Sequence, residues 1–243
     1  QILRNTATSG VINSSTFAAV NAVSGVTESY SPNASRAVMA ADLNNDGKID
    51  LATSNGVSAA GGFANMNSST SGSIALGSFR SLRAGNGDYF VDAALVPLDV
   101  NNDGKLDIFG LNGQPIYNPN IGTNYNSGYY LTQNTSTGNT FTSSTGNSAN
   151  ATSCKSCTDY LLVGPMFTAD RADFNGDGKV DIVVAGNAIN VLNNVTPAGS
   201  LRLADFKYEN FFIRFNSGGG NINSVKTADF DGDGRIDFVF TNS

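Results

Sequence analysis

Asp173-Phe-Asn-Gly-Asp-Gly-Lys-Val-Asp181 is a nine-residue stretch that occurs four times in the chain with small variations. The other copies span residues 42–50, 99–107 and 229–237. Each copy has an acid at positions 1, 5 and 9, Asn or Asp at position 3, and glycine at position 6. Oxygen ligands at positions 1, 3 and 5, a main-chain carbonyl at position 7 and a closing acid are typical of a calcium loop. The pattern therefore predicts four calcium sites.

The four loops predict the same kind of ligand set at each site. Glycine at position 6 permits the sharp turn that wraps the backbone round an ion. Because crowded carboxylates repel one another without metal, we expect about four structural calcium ions, and we expect their removal to loosen the fold. Position 7 contributes its main-chain carbonyl. The predicted ligands are Asp42, Asn44, Asp46, Lys48, Asp50, Asp99, Asn101, Asp103, Lys105, Asp107, Asp173, Asn175, Asp177, Lys179, Asp181, Asp229, Asp231, Asp233, Arg235 and Asp237.

The spacing of the loops indicates four repeat units. From Asp42 to Asp99 is 57 residues, from Asp99 to Asp173 is 74, and from Asp173 to Asp229 is 56. If the end of the chain is joined to its start, the step from Asp229 to Asp42 is again 56 residues. Self-similar units of this size are typical of propellers, solenoids and arrays. Residues 1–5 continue the last unit in this circular interpretation.

Short runs of β-branched, aromatic and small residues flank the loops. In the first unit, residues 36–41 lead into the loop and 49–54 leave it, and 73–77 and 79–82 are predicted as the third and fourth strands. No segment has a sustained 3.6-residue apolar period, so little helix is predicted. We predict an all-β fold over residues 1–243: a β-propeller with four blades of four antiparallel strands, one blade assembled from both chain ends.

The loops resemble the calcium-binding repeats of the FG-GAP/VCBS type, which also occur in the integrin α-subunit propeller. The resemblance covers all four units, nearly the whole chain outside residues 114–160. The Phe-Gly and Gly-Ala-Pro signatures of the integrin type are absent, so the VCBS variety is the closer likeness. The resemblance implies that each loop joins the first two strands of a blade, with calcium at the rim. It also implies a secreted or cell-surface protein that acts in adhesion or assembly.

Charge is concentrated in the loops, which hold 13 of the 20 acidic residues. The formal net charge of −6 therefore belongs to the predicted metal sites, which argues against nucleic acid as a partner. No apolar run approaches 18 residues, so no membrane insertion is predicted. Residues 1–4 resemble a strand rather than a signal peptide, which indicates a mature or excised form.

The longest step between loops places an insertion within residues 114–160 that is rich in Asn, Gly, Ser, Thr and Tyr. Tyrosine among small polar residues is typical of contact surfaces, although such residues also cover blade edges or fill gaps between blades. Cys154 and Cys157 near its end predict a small disulfide, because the chain has no histidine that would complete a zinc site. The predicted ligand contacts are Tyr117, Tyr125, Tyr129 and Tyr130.

Catalysis has little support in the sequence. Without histidine the Ser-His and Cys-His arrangements are excluded, and no two acids outside the loops form a glycosidase motif. We predict a non-enzyme whose partner is a protein or glycan at the cell surface, or other copies of itself in a strand-exchanged filament or ring. A glycan-binding lectin and a polysaccharide-cleaving enzyme are the alternatives. Glycosylation is left open at six Asn-x-Ser/Thr sequons: Asn13, Asn33, Asn67, Asn134, Asn150 and Asn194.

Overall fold

The fold is built from short strands. The computed structural model describes residues 2–7, 10, 13, 16–20, 23–24, 37–53, 63–71, 73–74, 79–83, 94–112, 116–118, 123–125, 128–136, 143–144, 166–186, 188–198, 206–209 and 221–242. These residues contain no helix, so the prediction of an all-β fold is confirmed for them. The strands are β1 (Ile2–Asn5), β2 (Phe17–Val20), β3 (Val23–Ser24), β4 (Val38–Ala41), β5 (Asp50–Thr53), β6 (Phe63–Asn67), β7 (Phe79–Arg83), β8 (Ala94–Leu98), β9 (Asp107–Asn112), β10 (Ile116–Asn118), β11 (Thr123–Tyr125), β12 (Gly128–Asn134), β13 (Ser143–Ser144), β14 (Met166–Ala172), β15 (Asp181–Gly186), β16 (Ile189–Asn194), β17 (Phe206–Glu209), β18 (Ile222–Ala228) and β19 (Asp237–Asn242).

The strands form small sheets that repeat along the chain. Unit 1 contains β4, β5, β6 and β7 in antiparallel order, and β3 adds a fifth strand in parallel to β7. Unit 2 contains β8, β9, β12 and β13, and unit 3 contains β14, β15, β16 and β17. Unit 4 is the two-stranded sheet β18–β19, and β1–β2 forms another two-stranded sheet. The described residues form no closed barrel or propeller.

The third strand of unit 1 differs from the sequence prediction. The strand that pairs with β5 is β6, whereas Ser73, the first residue of the predicted strand, forms an isolated bridge with Thr70. β6 is favoured because its alternation places Met66 in the core, while the main-chain N–H of Asn67 reaches the buried acid that closes the first loop. The assignment of 73–77 as a third strand is therefore wrong.

Part of the range 114–160 belongs to the regular sheet of unit 2. β12 pairs with β9 as the third strand, and β10 pairs with β11 in a separate hairpin. For Tyr117, Tyr125, Tyr129 and Tyr130, the structure describes the backbone but not the side chains. Their role as ligand contacts therefore stays a prediction. Cys154 and Cys157, and with them the predicted disulfide, lie outside the described residues.

Among the described residues, three apolar cores lie between successive units. Successive side chains of a strand point to opposite faces of its sheet, so neighbours on one strand serve different cores. On β9, Ile108 packs towards unit 1 and Phe109 towards unit 3. On β15, Ile182 packs towards unit 2 and Val183 towards unit 4. Both strands are buried on both faces, which explains their unbroken apolar runs.

Each end unit exposes an apolar residue on the face that points away from its neighbour. On β19, Phe238 and Phe240 pack towards unit 3, whereas Val239 on the opposite face is 51% exposed. On β4, Met39 packs towards unit 2, whereas Val38 is 68% exposed. The described residues therefore form an ordered series of four units, with an exposed valine on the outer face of each end unit.

Candidate metal centres

Each predicted calcium loop connects the first two strands of a unit. Loop 1 (residues 42–50) joins β4 to β5, and loop 2 (99–107) joins β8 to β9. Loop 3 (173–181) joins β14 to β15, and loop 4 (229–237) joins β18 to β19. The position of the loops within the units agrees with the one implied by the family resemblance.

The turn of each loop depends on left-handed backbone at two positions. The glycines at position 6 have φ between 81° and 85°, a region that side-chain-bearing residues rarely adopt. Position 4 is also left-handed, with Asn45 at 58° and Asn102 at 54°, and with Gly176 and Gly232 in loops 3 and 4. The predicted sharp turn at the position-6 glycine is confirmed.

The same hydrogen bonds recur in all four loops. The position-1 carboxylate accepts the main-chain N–H of position 5 at 3.1–3.2 Å and that of position 6 at 2.8–2.9 Å. The position-3 side-chain oxygen also accepts the N–H of position 5. The position-5 carboxylate accepts the N–H of position 7. The backbone therefore orients three oxygen-bearing side chains in each loop.

The closing acid at position 9 is buried in units 1 to 3 and braced from two sides. Asp50, Asp107 and Asp181 are at most 1% exposed. One oxygen of each accepts the N–H of position 2 at 3.0–3.1 Å. The other accepts, at 2.7–2.8 Å, the N–H of an asparagine that ends the third strand of the same unit. These brace asparagines, which the sequence interpretation missed as site residues, are Asn67, Asn134 and Asn194.

The side chain of each brace asparagine closes a turn and holds its own loop. Its oxygen accepts the N–H of the residue two positions later, at 2.9–3.0 Å. Its amide donates to the carbonyl at position 8 of its own loop, at 2.9–3.2 Å. Side-chain turns of this kind favour Asn at the first position. A local signal existed, because all three asparagines belong to Asn-x-Ser/Thr sequences.

The burial of two brace asparagines predicts that they carry no glycan. Asn134 and Asn194 are at most 1% exposed and both donate from the side-chain nitrogen that a glycan modifies. We expect the folded protein, secreted from a glycosylating host, to carry no glycan at either residue. Glycopeptide mapping by mass spectrometry tests this, with the exposed Asn13 as an internal comparison. A folded product with glycan at Asn134 would contradict the brace.

Loop 4 keeps the local turn but lacks the brace. Asp237 and Phe230 are exposed, Asp237 accepts the N–H of Phe230 at 3.2 Å, and no other described N–H reaches its carboxylate. Asn5, at the end of β1, nevertheless makes the turn typical of the brace asparagines, because its side-chain oxygen accepts the N–H of Ala7 at 2.8 Å.

Loop 4 offers oxygen ligands that a single cation can reach. In loop 4, Asp229, Asp231 and Asp237 each place a carboxylate oxygen within 4.8 Å of the other two. Calcium binds oxygen at 2.3–2.6 Å, so opposite ligands lie about 5 Å apart. These carboxylates therefore fit a hard divalent cation. Arg235 forms an ion pair with Asp233 in the same loop, which holds the Asp233 side chain beside position 7.

Burial raises the pKa values of the closing acids in loops 1 to 3, and a bound cation would lower them. Desolvation raises the pKa of Asp107 to about 7, against the hydrogen bonds from Asn134 and Val100, and the charges of Asp103 and Asp99 raise it further. The pKa values of the equivalent Asp50 and Asp181 are raised for the same main reason. A positive charge in the loop would favour the ionised form of these carboxyls.

Within the part of the chain that the structure describes, no helix is long and apolar enough to cross a membrane.

Comparison with known proteins supports the repeat assignment over part of the chain. No curated protein matches the chain. Residues 173–240, which contain loops 3 and 4, match the family model described as an FG-GAP-like repeat, so this region of the chain carries an FG-GAP-type repeat.

Proposed function

We propose that the chain is a calcium-binding repeat protein in which each of the four loops holds one ion. The observation that carries this proposal is the fourfold recurrence of one hydrogen-bonded loop, with the carboxylates of Asp229, Asp231 and Asp237 in reach of a single cation. Positions 1, 3, 5 and 9 offer side-chain oxygens and position 7 its carbonyl. When bound, calcium supplies the positive charge that the buried closing acids lack.

The fold that this proposal implies is a four-bladed propeller with one blade built from both ends of the chain. Unit 4 has first and second strands, and β1–β2 supplies a third and a fourth. The turn at Asn5 supports this assignment, since the third strand ends in the same turn in units 1 to 3. Exposed Leu3 on β1 and Val239 on β19 are apolar residues that such pairing would cover.

The protein acts by binding or assembly outside the cell, without catalysis. Extracellular modules bind calcium at about 0.1–1 mM, the range that these short exposed loops suit. Exposed Val38 on unit 1 and Val239 on unit 4 are apolar residues that contact with another copy or another protein would bury. Pairing of β1 with β19 of a second copy would extend a filament or ring, and pairing within one chain would close a disc.

Calorimetric titration with calcium, combined with light scattering, tests the proposal. We expect about four ions per chain, with affinities near the extracellular range. A monomer in 1 mM calcium that expands in chelator would indicate a disc closed within one chain. Larger species would indicate exchange of β1 between copies. A chain that takes up no calcium would refute the metal assignment.

Replacement of a position-5 acid is expected to lower the melting temperature in calcium. Asp46→Ala and Asp177→Ala each remove a ligand, and a site of this affinity contributes about 0.4–1.4 kcal/mol at 1 mM calcium. For a chain of this size the loss is roughly 1–5 °C. Lys48→Ala is the matched control, because position 7 contributes its carbonyl. A melting temperature that falls equally in calcium and in chelator would contradict ligation.

A further inference from the structure

Buried hydrogen bonds connect the loops of different units. The amide of Asn134 in unit 2 donates to the carbonyl of Leu43 at position 2 of loop 1, at 2.7 Å. The amide of Asn194 in unit 3 donates to the carbonyl of Val100 at position 2 of loop 2, at 3.1 Å. Each amide also holds position 8 of its own loop. One amide group therefore fixes two neighbouring loops at once.

These contacts form a continuous series that includes the closing acids. Asp107 accepts the N–H of Asn134 at 2.8 Å, Asn134 holds Leu43, and the N–H of Leu43 binds Asp50 at 3.0 Å. In the same way Asp181 binds Asn194, Asn194 holds Val100, and the N–H of Val100 binds Asp107 at 3.1 Å. The series, which we call the interloop relay, consists of Asp50, Leu43, Asn134, Asp107, Val100, Asn194 and Asp181.

The relay lies away from water. All seven members are at most 1% exposed, so a link that breaks leaves a buried donor or acceptor without water to replace its partner. A weaker contact joins the same two loops at the surface, where water can replace either partner: the side-chain amide of Asn45 donates to the carbonyl of Gly104 at 3.1 Å. Loops 1 and 2 therefore cannot shift independently without loss of hydrogen bonds.

We propose that Asn134 and Asn194 are positioning residues that couple calcium binding between neighbouring loops. The inference rests on the proposed calcium function. An ion that orders positions 1 and 3 of loop 1 also fixes the position-2 carbonyl between them, and thereby Asn134 and position 8 of loop 2. Because the shared groups are ordered only once, the second ion binds to a loop that is already partly fixed. Coupling is therefore positive between loops 1 and 2, and between loops 2 and 3.

Loop-resolved calcium titration by NMR tests this coupling, with the position-6 glycine amides as reporters. Asp46→Asn weakens loop 1 while its side-chain oxygen still accepts the N–H of Lys48. In the otherwise native chain, we expect Asp46→Asn to raise the calcium midpoint of Gly104 in loop 2 about 5–10-fold. When Asn134→Ala is present as well, we expect the midpoint to change less than about twofold.

Asn67→Ala is the matched control for this experiment. It removes the same turn and the same bond to position 8, but in the described part of the chain the Asn67 amide reaches only its own unit. Coupling between loops 1 and 2 should persist in Asn67→Ala. If Asn134→Ala does not fold, Asn194→Ala applies the same test to the equivalent contact between loops 2 and 3.

Two failures are distinguishable. Calcium binding in every loop, with a loop 2 midpoint that ignores Asp46→Asn or shifts equally with and without Asn134, would overturn the relay and leave the calcium function standing. A chain whose glycine amides do not respond to calcium would overturn both. Asn194→Ala repeats the test between loops 2 and 3, where loss of coupling is again the expected result.

Discussion

Asp107→Ala is expected to unfold at a markedly lower temperature than the native chain, even in chelator. The Asp107 carboxylate accepts two main-chain N–H groups, from Val100 at 3.1 Å and from Asn134 at 2.8 Å, and it is 0% exposed. Each buried N–H left without an acceptor destabilises the fold by about 1–3 kcal/mol. Relief of the carboxylate's own desolvation offsets part of this, so we expect a net loss of about 2–4 kcal/mol. For a chain of this length, that lowers the melting temperature by roughly 5–15 °C.

Asp237→Ala is the control at the same loop position. Asp237 is exposed and accepts one described N–H, that of Phe230, at 3.2 Å. In chelator we expect its loss to change stability by less than about 1 kcal/mol, as for most surface substitutions. Thermal melts followed by circular dichroism compare the two variants. Equal losses of melting temperature in Asp107→Ala and Asp237→Ala would contradict the difference in burial between the closing acids of loops 2 and 4.

The loops were predictable because their information is local. Nine consecutive residues define each turn, and the left-handed conformation at position 6 follows from glycine alone. The order of units was predictable for a similar reason, since the spacing of the loops repeats. Local patterns of this kind determine the turn of each loop, and this part of the sequence interpretation agrees with the structure, whereas the ligand set stays a prediction.

The brace asparagines were not predictable in the same way. Asn134 donates to a carbonyl 91 residues away, and Asn194 to one 94 residues away. Nothing in the sequence around Asn134 distinguishes this role from that of a glycosylation sequon. The prediction of the third strand of unit 1 failed for a related reason. Residues 63–67 and 73–77 have comparable strand character, and the choice depends on which of them delivers an N–H to Asp50.

The difference between loop 4 and the other loops also lies beyond local sequence. Its motif is the most acidic of the four, yet its closing acid is the exposed one. Burial of a closing acid depends on the third strand of its unit and on packing of the neighbouring unit. Where both are present, the acid is braced and its pKa is raised, so under the proposed calcium function we expect metal binding and fold stability to be most strongly linked in loops 1 to 3.

Removal of calcium is expected to make the chain less stable at pH 8 than at pH 5.5 by a larger margin than in calcium. In chelator, burial raises the pKa of Asp107 to about 7, whereas an unfolded Asp titrates at about 4. Between these values the folded state binds a proton that the unfolded state has released. The stability from this group is therefore fully present below about pH 4 and is lost as the pH rises through about 7. Between pH 5.5 and pH 8 the loss is about 2 kcal/mol, and Asp50 and Asp181 act in the same direction.

Urea unfolding at pH 5.5 and pH 8 measures this effect, with Asp107→Asn as the control because it cannot titrate. In chelator, the native chain should be more stable at pH 5.5 than at pH 8. For Asp107→Asn, the difference in unfolding free energy between the two pH values should be about 2 kcal/mol smaller. In 1 mM calcium this difference should shrink, because the ion binds ionised carboxylates and therefore stabilises the chain more at pH 8 than at pH 5.5, where protons compete with it. Higher stability at pH 8 in chelator would contradict the raised pKa of Asp107, and a pH difference that calcium does not change would contradict metal binding beside it.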